Sequence, residues 1–288
     1  MGEPVTVVIP ALNAAGTLGA QLEALRGQTY AAPFEVIVVD NGSTDDTAVI
    51  AQSYQSDRFR VRVVSEPRRG VNLARNAGVA AAADGLIALC DADDIVFSEW
   101  LESLTAAYVD GAWLAGDLDP ELLNSHETRE MWGVTHRVEH RGKRPYIDTA
   151  FGGNCAFTRS MWKDVGQFDE TLSGHGDETE FFLRAWAAGY RVCWAPGAVI
   201  HYRLRPGLRV MARQKYRKGK SQVYASTRAG GLLHKAAGLR LDTKSWGYIV
   251  VMAPVALVSK TVRFRWVRLT ALEVGRLAGR VHMRRGAR

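Results

Sequence analysis

Three carboxylates close an apolar run: Leu86-Ile87-Ala88-Leu89-Cys90 leads directly into Asp91-Ala92-Asp93-Asp94. A run of that length fits a buried strand, and in a parallel α/β sheet the carboxyl ends of the strands face the ligand crevice. Acids spaced Asp-x-Asp can divide their work, one on a hard cation and one on a neighbouring hydroxyl, and magnesium or manganese so held can carry a diphosphate. The plainer alternative is that Asp93 or Asp94 merely opens the helix starting near Ser98. A second strand-like run, Phe34-Glu35-Val36-Ile37-Val38-Val39, ends in Asp40. Helix capping accounts for the polar turn Ser43-Thr44-Asp45-Asp46 that follows, but not for an acid on the strand tip. Arg69 and Arg75 stand at the entry of an Ala-rich helix, a placement that suits phosphate binding. A third acidic group, Asp177-Glu178, opens a helical pattern whose apolar face holds Phe182 and Trp186. A carboxylate at a helix N-terminus is favoured in its ionised form, the state a general base needs, although capping by Asp177 explains the same residue.

Positioning such groups takes a sheet. Val5-Thr6-Val7-Val8-Ile9-Pro10 reads as a buried strand stopped by Pro10, with Ala11-Leu12-Asn13 as its turn and Leu18, Leu22 and Leu25 at helical spacing behind it. Strand and helix then alternate through residue 94, with Arg60-Val61-Arg62-Val63-Val64 as a half-exposed strand, which predicts a doubly wound, mostly parallel sheet. Neither Gly-x-Gly-x-x-Gly nor a phosphate-loop lysine occurs, so the common dinucleotide and nucleoside-triphosphatase readings lose support. Further along, Ser98 to Val109 reads as a helix, residues 112–116 as a strand and residues 117–150 as an irregular, acceptor-side segment whose histidines lack metal-ligand spacing. Gly152-Gly153-Asn154 precedes a short strand and a helix ending at Gly166, and Tyr190 to Trp194 and residues 198–202 read as two strands around an Ala195-Pro196-Gly197 turn.

These residues carry a resemblance. Val7-Val8-Ile9-Pro10 with Asn13, Val38-Val39-Asp40-Asn41-Gly42-Ser43-Thr44-Asp45, Arg69-Gly70 with Ala74-Arg75-Asn76-Ala77-Gly78, and Asp91-Ala92-Asp93-Asp94 resemble, in order and spacing, the successive blocks of family 2 glycosyltransferases of GT-A fold. The match covers about residues 4–205. The resemblance implies an inverting, metal-dependent transfer of a sugar from a nucleotide-sugar donor to an acceptor hydroxyl, with Mn2+ or Mg2+ as cofactor. It implies that Asp40 binds the base, that Asp91 lies near the nucleoside and that Asp93 ligates the metal bridging the diphosphate. Pro10, Ala11, Asn13, Arg69 and Arg75 complete the expected nucleotide site. Gly153, Asn154 and Asp94 are expected beside the donor or acceptor sugar, and His201, in Pro-x-Ala-x-x-His, as a further metal ligand. The family's catalytic base falls in the block that reads Asp177-Glu178 here: Glu178 takes it by position, Asp177 by residue type. Asn41 stands where many relatives carry a second Asp, a change expected to matter little.

Charge divides the chain in two. Residues 1–202 hold 16 Lys+Arg and 28 Asp+Glu, a net of −12, whereas residues 203–288 hold 21 and 2, a net of +19. The division predicts a catalytic domain over 1–205 and a basic helical region over 206–288, and a basic region of that kind wants an anionic surface. Ser245–Ser259 is an uncharged run of 15 residues, short of the roughly 20 needed to span a bilayer. Residues 260–288 then mix nine basic residues and one acid with Phe264, Trp266, Leu269, Leu272 and Leu277. That mixture fits a helix lying in a membrane interface, through residues 245–288, or a basic helix packed on the catalytic domain. No nucleic-acid-binding motif is present. Three scattered cysteines, Cys90, Cys155 and Cys193, argue against a disulfide framework, and the first residues lack a signal-peptide pattern. The expected location is therefore cytoplasmic, peripheral on the inner face of the cell membrane, with a glycan or lipid-linked acceptor and a role in cell-surface glycan or polysaccharide synthesis. The rivals are a sugar nucleotidyltransferase, which would want a Gly- and Lys-rich loop where residues 11–16 stand, and a non-catalytic binding protein of the same fold.

Overall fold

The computed structural model describes residues 4–54, 56–138, 152–172, 177–228 and 243–286. Its centre is an eight-stranded sheet of order β3-β2-β1-β4-β7-β6-β8-β5. The predicted alternation holds through β1 (Val5–Ala11), α1 (Leu18–Arg26), β2 (Phe34–Asp40), α2 (Thr47–Ser53), β3 (Phe59–Ser65), α3 (Val71–Ala81) and β4 (Leu86–Cys90). These four strands are mutually parallel. Beyond them come β5 (Ile95–Val96), α4 (Trp100–Ala107), β6 (Ala112–Asp119), α5 (His126–Trp132), β7 (Asn154–Thr158), α6 (Arg159–Val165), α7 (Asp177–Ala187) and β8 (Arg191–His201). β7 runs antiparallel to both β4 and β6, and β5 antiparallel to β8, while β6 and β8 are parallel, so the sheet is mixed and, as expected, mostly parallel.

Helices cover both faces, which is why the strands are apolar at consecutive positions. On one face Val7, Ile9, Val36 and Val38 pack against Leu18, Leu22 and Leu25 of α1 and Trp100, Leu101 and Leu104 of α4. On the other, Val8, Ile37 and Val39 meet Ala74 and Val79 of α3 and Phe181, Phe182 and Ala185 of α7. Gly78 lets α3 lie directly on the sheet, because a Cβ there would overlap Val8.

Three sequence expectations change. The helix read over 98–109 is shorter, Trp100–Ala107. Ala195-Pro196-Gly197 does not end a strand: β8 continues through it, and the pairing with β6 jumps from Ala115↔Trp194 to Asp117↔Val199, so these residues bulge within one strand. The segment read as irregular from 117 contains the end of β6 and helix α5, capped by Ser125 and closed by Gly133 in the left-handed region. The rest of that segment, residues 139–150 with His140 and Tyr146, lies outside the described residues.

The basic region forms α8 (Leu208–Arg228), α9 (Thr243–Val258) and α10 (Lys260–Gly286). Pro254 lies inside α9 rather than breaking it. No described helix is long and apolar enough to cross a membrane. Helix α10 packs on the rest of the protein: Phe264 joins Met131, Trp132, Leu204 and Met211 in a buried cluster, and Arg268 donates to the Met131 carbonyl at 3.0 Å. α8 and α10 meet backbone to backbone, because Cβ atoms at Gly219 and Gly275 would overlap the carbonyl oxygens of Leu272 and Tyr216. Neither partner is a flexible side chain. Gly275→Ala is therefore expected to push the helices apart and cost about 2 kcal/mol, as overpacking does, read as a lower urea midpoint.

Candidate active site

The register of the sheet builds the acidic site. Cys90 of β4 pairs with Asn154 of β7, so the Asp91 to Asp94 loop leaves the sheet beside Gly152 and Gly153. Asp91, Asp93 and Asp94 each offer a carboxylate oxygen within 4.8 Å of the others. Asp94 is 1% exposed; its Oδ1 accepts the Arg203 backbone N–H at 2.7 Å, while its buried Oδ2 has no hydrogen-bond partner among the described residues. Burial, then the charges of Asp91 and Asp93, push the Asp94 carboxyl well above the usual carboxylate range. The loop is held from both sides: Arg203 Nε donates to the Asp93 carbonyl at 2.7 Å, and buried Gln21 of α1 donates to the Asp91 carbonyl and accepts the Val96 N–H. Three crowded carboxylates, one with an unsatisfied buried oxygen, form a donor set that fits a hard divalent cation.

One guanidinium links this group to the second acid block. Arg75 of α3 is 5% exposed, with Nη2 3.9 Å from Asp91 Oδ1 and Nη1 3.7 Å from Glu178 Oε2. Phe168 lies beneath it at 5.8 Å. Two glycines make room for the arrangement: a Cβ at Gly152 would overlap the Arg75 guanidinium, and one at Gly153 the Asp91 carboxylate. Phe168 is fixed in turn by Asn76 of α3, whose carboxamide accepts from the Phe168 N–H and the Trp162 indole and donates to the Phe168 carbonyl. On α7, Glu180 is buried in a forked pair with Arg184, which also donates to the carbonyls of Val165, Gly166 and Gln167. Among the described side chains of this helix, Glu178 is the acid that faces Arg75. Asp177 begins the helix, and its side chain lies outside the described residues.

The loops after β1 and β2 are laced together on the other side. Asn13, in the left-handed region at φ 51°, donates its N–H to Ser43 Oγ, and its Oδ1 accepts the Thr44 N–H at 2.8 Å. Ala14 and Ala15 donate to Thr47 Oγ1 and Asp45 Oδ2. Pro10 and Ala11 pair with Val39 and Asp40, so both turns leave the sheet at one edge, and Asp40 Oδ1 accepts the Ser43 N–H at 3.1 Å. Arg69 reaches back to the Gly42 carbonyl at 3.4 Å.

Asn41 matters more than the sequence promised. Its buried amide donates to the carbonyls of Glu66 and Arg68 at 2.9 and 2.7 Å and accepts the Gly70 N–H at 2.8 Å, fixing the loop that carries Arg69. Aspartate cannot donate. Asn41→Asp would set a buried charge against two carbonyls and is expected to cost about 3 kcal/mol, measured by chemical denaturation.

Two expected site residues sit differently. Asn154 is fully buried: its Oδ1 accepts the Trp100 indole N–H at 2.7 Å, and its Nδ2 donates to the carbonyls of Asp117 and Ala198. With its amide occupied inside the sheet, it braces the site rather than facing a sugar. Asp94, likewise expected beside the sugar, is instead the buried member of the carboxylate group. His201 ends β8 opposite Ile95, which follows the acidic loop, but is not part of the three-carboxylate group. Its ring packs on Phe97 at 4.3 Å, its Nδ1 lies 3.7 Å from Asp119, and burial lowers its pKa against the pull of that acid. Gln21, Asn76 and Arg203 were not singled out as site residues by sequence; polar side chains on otherwise apolar helix faces were the signal for the first two.

Comparisons with known proteins identify the family and the fold. The family model described as glycosyl transferase family 2 matches residues 6–166, and one described as N-terminal domain of galactosyltransferase matches residues 133–205. Glycosyltransferase AglE of Haloferax volcanii is 27% identical over 225 residues, 76% of this chain and 73% of that protein. The uncharacterized glycosyltransferase Rv0539 of Mycobacterium tuberculosis is 35% identical over 199 residues, 66% of this chain and 83% of that protein. Among solved structures, mannosyltransferase PcManGT from Pyrobaculum calidifontis, in complex with GDP-Man and Mn2+, superposes with a TM-score of 0.67 at 20% identity, over 97% of this chain and 87% of that one. Glucosyl-3-phosphoglycerate synthase from Mycobacterium tuberculosis, in complex with Mn2+, UDP and glucosyl-3-phosphoglycerate, gives 0.57 at 20% identity over 80% and 81%. The structural likeness shows the GT-A fold. The family model covers more than half of the chain, including the Asp40 and Asp91 to Asp94 loops, and the chain is a glycosyltransferase belonging to glycosyl transferase family 2.

Proposed function

We propose that this glycosyltransferase moves a sugar, with inversion, from a nucleotide-sugar donor to an acceptor hydroxyl, with a divalent cation held by Asp93 together with Asp91 and Asp94. The observation that carries the proposal is the three-carboxylate group joined through Arg75 to Glu178. The Mn2+, GDP-Man and UDP named for the two solved neighbours support the same donor chemistry. A bound Mn2+ or Mg2+ supplies Lewis-acid neutralisation of the departing diphosphate. Glu178, with Asp177 as the alternative, accepts the proton of the acceptor hydroxyl as its oxygen attacks the anomeric carbon. Arg75 keeps the two acid sites at a fixed separation and offsets their mutual repulsion. Asp40, the Pro10 to Asn13 turn, Arg69 and Asp91 orient the nucleotide, and Gly153, which leaves room for the Asp91 carboxylate, lies beside the sugar. His201, whose imidazole is kept neutral by burial, is a candidate additional ligand from the far side of the loop.

In this reading residues 1–205 carry catalysis, and residues 206–288, with most of the +19 charge, bring the enzyme to an anionic membrane surface. Peripheral attachment at the inner face suits a lipid-linked acceptor in glycan or polysaccharide synthesis. The test is nucleoside diphosphate release from a panel of nucleotide sugars with Mn2+, with and without chelator. Release that survives removal of the metal overturns the metal role; no release from any donor, with acceptors present, overturns the transfer.

A further inference from the structure

Beyond the acidic site, the C-terminal helices form a cleft of about 510 Å³ lined by Lys244, Ser245 and Tyr248 of α9 and Arg265, Arg268 and Leu269 of α10. Among the described residues, the charged side chains of its lining are all basic. Arg265 and Arg268 lie one helical turn apart, where like charges repel, and among the described residues neither is paired with a carboxylate. Arg265 stacks over the Tyr248 ring at 4.5 Å, and Arg268 is anchored by its bond to the Met131 carbonyl, so both guanidinium groups are held in place rather than trailing in solvent. Burial and the charge of Arg265 both disfavour the charged form of Arg268. Two guanidinium groups held in place are the complement of a phosphate group.

The helix that supplies Lys244, Ser245 and Tyr248 also carries an uncovered apolar surface: Val250 and Val251 are each 71% exposed, Leu257 78% and Val258 85%. After Lys244 it bears no charge. An apolar helix face beside a cationic cleft matches the two layers of a membrane interface, acyl chains and headgroups.

We infer that the α9–α10 cleft binds the phosphate headgroup of a lipid, with the valine and leucine face of α9 seated in the acyl layer next to it. The inference rests on the membrane reading of residues 206–288 and adds to it the group recognised. A free phosphate offers the same charge but leaves the α9 face exposed, and the apolar face is what favours the lipid.

The experiment is flotation of the full chain with vesicles, read without donor so that it stands apart from transfer. Three vesicle types are compared: phosphatidylcholine alone, phosphatidylcholine with phosphatidic acid, and phosphatidylcholine with cholesteryl hemisuccinate at matched surface charge. Wild type is expected to bind the phosphatidic acid vesicles at least about tenfold more tightly than the hemisuccinate ones, since only the former offer a terminal phosphate. Lys244→Gln combined with Arg265→Gln is expected to weaken that binding about thirtyfold, at about 1 kcal/mol for each basic residue. Leu257→Asp with Val251→Asp is expected to abolish flotation while leaving the rise in melting temperature produced by inorganic pyrophosphate. Equal binding to the two anionic vesicles would leave general membrane attraction standing and overturn the headgroup site. A pyrophosphate response that the Lys244/Arg265 variant loses, without flotation of wild type on any vesicle, would assign the cleft to a soluble anion and overturn the lipid, and flotation unchanged in that variant would overturn the cleft.

Discussion

Glu178→Gln is expected to lower kcat for nucleoside diphosphate release by about a thousandfold while leaving the donor KM within about twofold, the signature of a proton acceptor lost from the transition state alone. The amide keeps the shape of the carboxylate and its place on α7, so the fold is retained. What disappears is the lone pair that takes the hydroxyl proton and the negative charge that faces Arg75 at 3.7 Å. Asp177→Asn is the control that decides between neighbours. If it causes the larger fall in kcat, with Glu178→Gln nearly silent, the base is Asp177 and the contact to Arg75 is structural.

Asp93→Ala is expected to reduce turnover by at least about a thousandfold, through loss of the cation that neutralises the leaving diphosphate, a contribution of several kcal/mol. The readout that separates this from a folding defect is Mn2+ affinity. It is expected to fall by more than about a hundredfold by calorimetry, because one of three hard oxygen ligands is gone. Stability should change little: the Asp93 contact that fixes the loop is its backbone carbonyl, which accepts from Arg203 and survives truncation of the side chain. Chelation of wild type should mimic the variant and Mn2+ should reverse it; rescue of the variant by Mn2+ alone would remove Asp93 from the ligand set.

Much of this was legible in the chain because it is written locally. Apolar runs ending in Asp40 and Asp91, separated by helical spacing, predict parallel strands before any contact is known, and put both acids at the same end of the sheet. The carboxylate loop needed no structure to be found. Contacts between distant residues leave no local trace, and that is where the reading fell short. Asn154 looked like a ligand-facing residue after two glycines, yet its amide is satisfied by Trp100, Asp117 and Ala198, from three other strands and helices. Those glycines answer to Arg75 and Asp91, which lie far away in sequence. Asn41 looked like a neutral replacement because its two donors serve carbonyls 25 and 27 residues away. Helix α5 was missed because seven residues give barely two turns of periodicity, and the close meeting of α8 and α10 because Gly219 and Gly275 show their purpose only in pairs.

Arg203 bears on how the molecule can be divided. Charge counting places it at the head of the basic run, yet its backbone N–H holds Asp94 and its guanidinium holds the Asp93 carbonyl. A polypeptide trimmed just upstream of it would lose a brace of the Asp91 to Asp94 loop together with the cationic helices, and inactivity of such a fragment would say nothing about lipid. Fragments meant to separate chemistry from attachment must therefore keep Arg203, and keep Leu204 as well, whose side chain is buried with Met211 and Phe264.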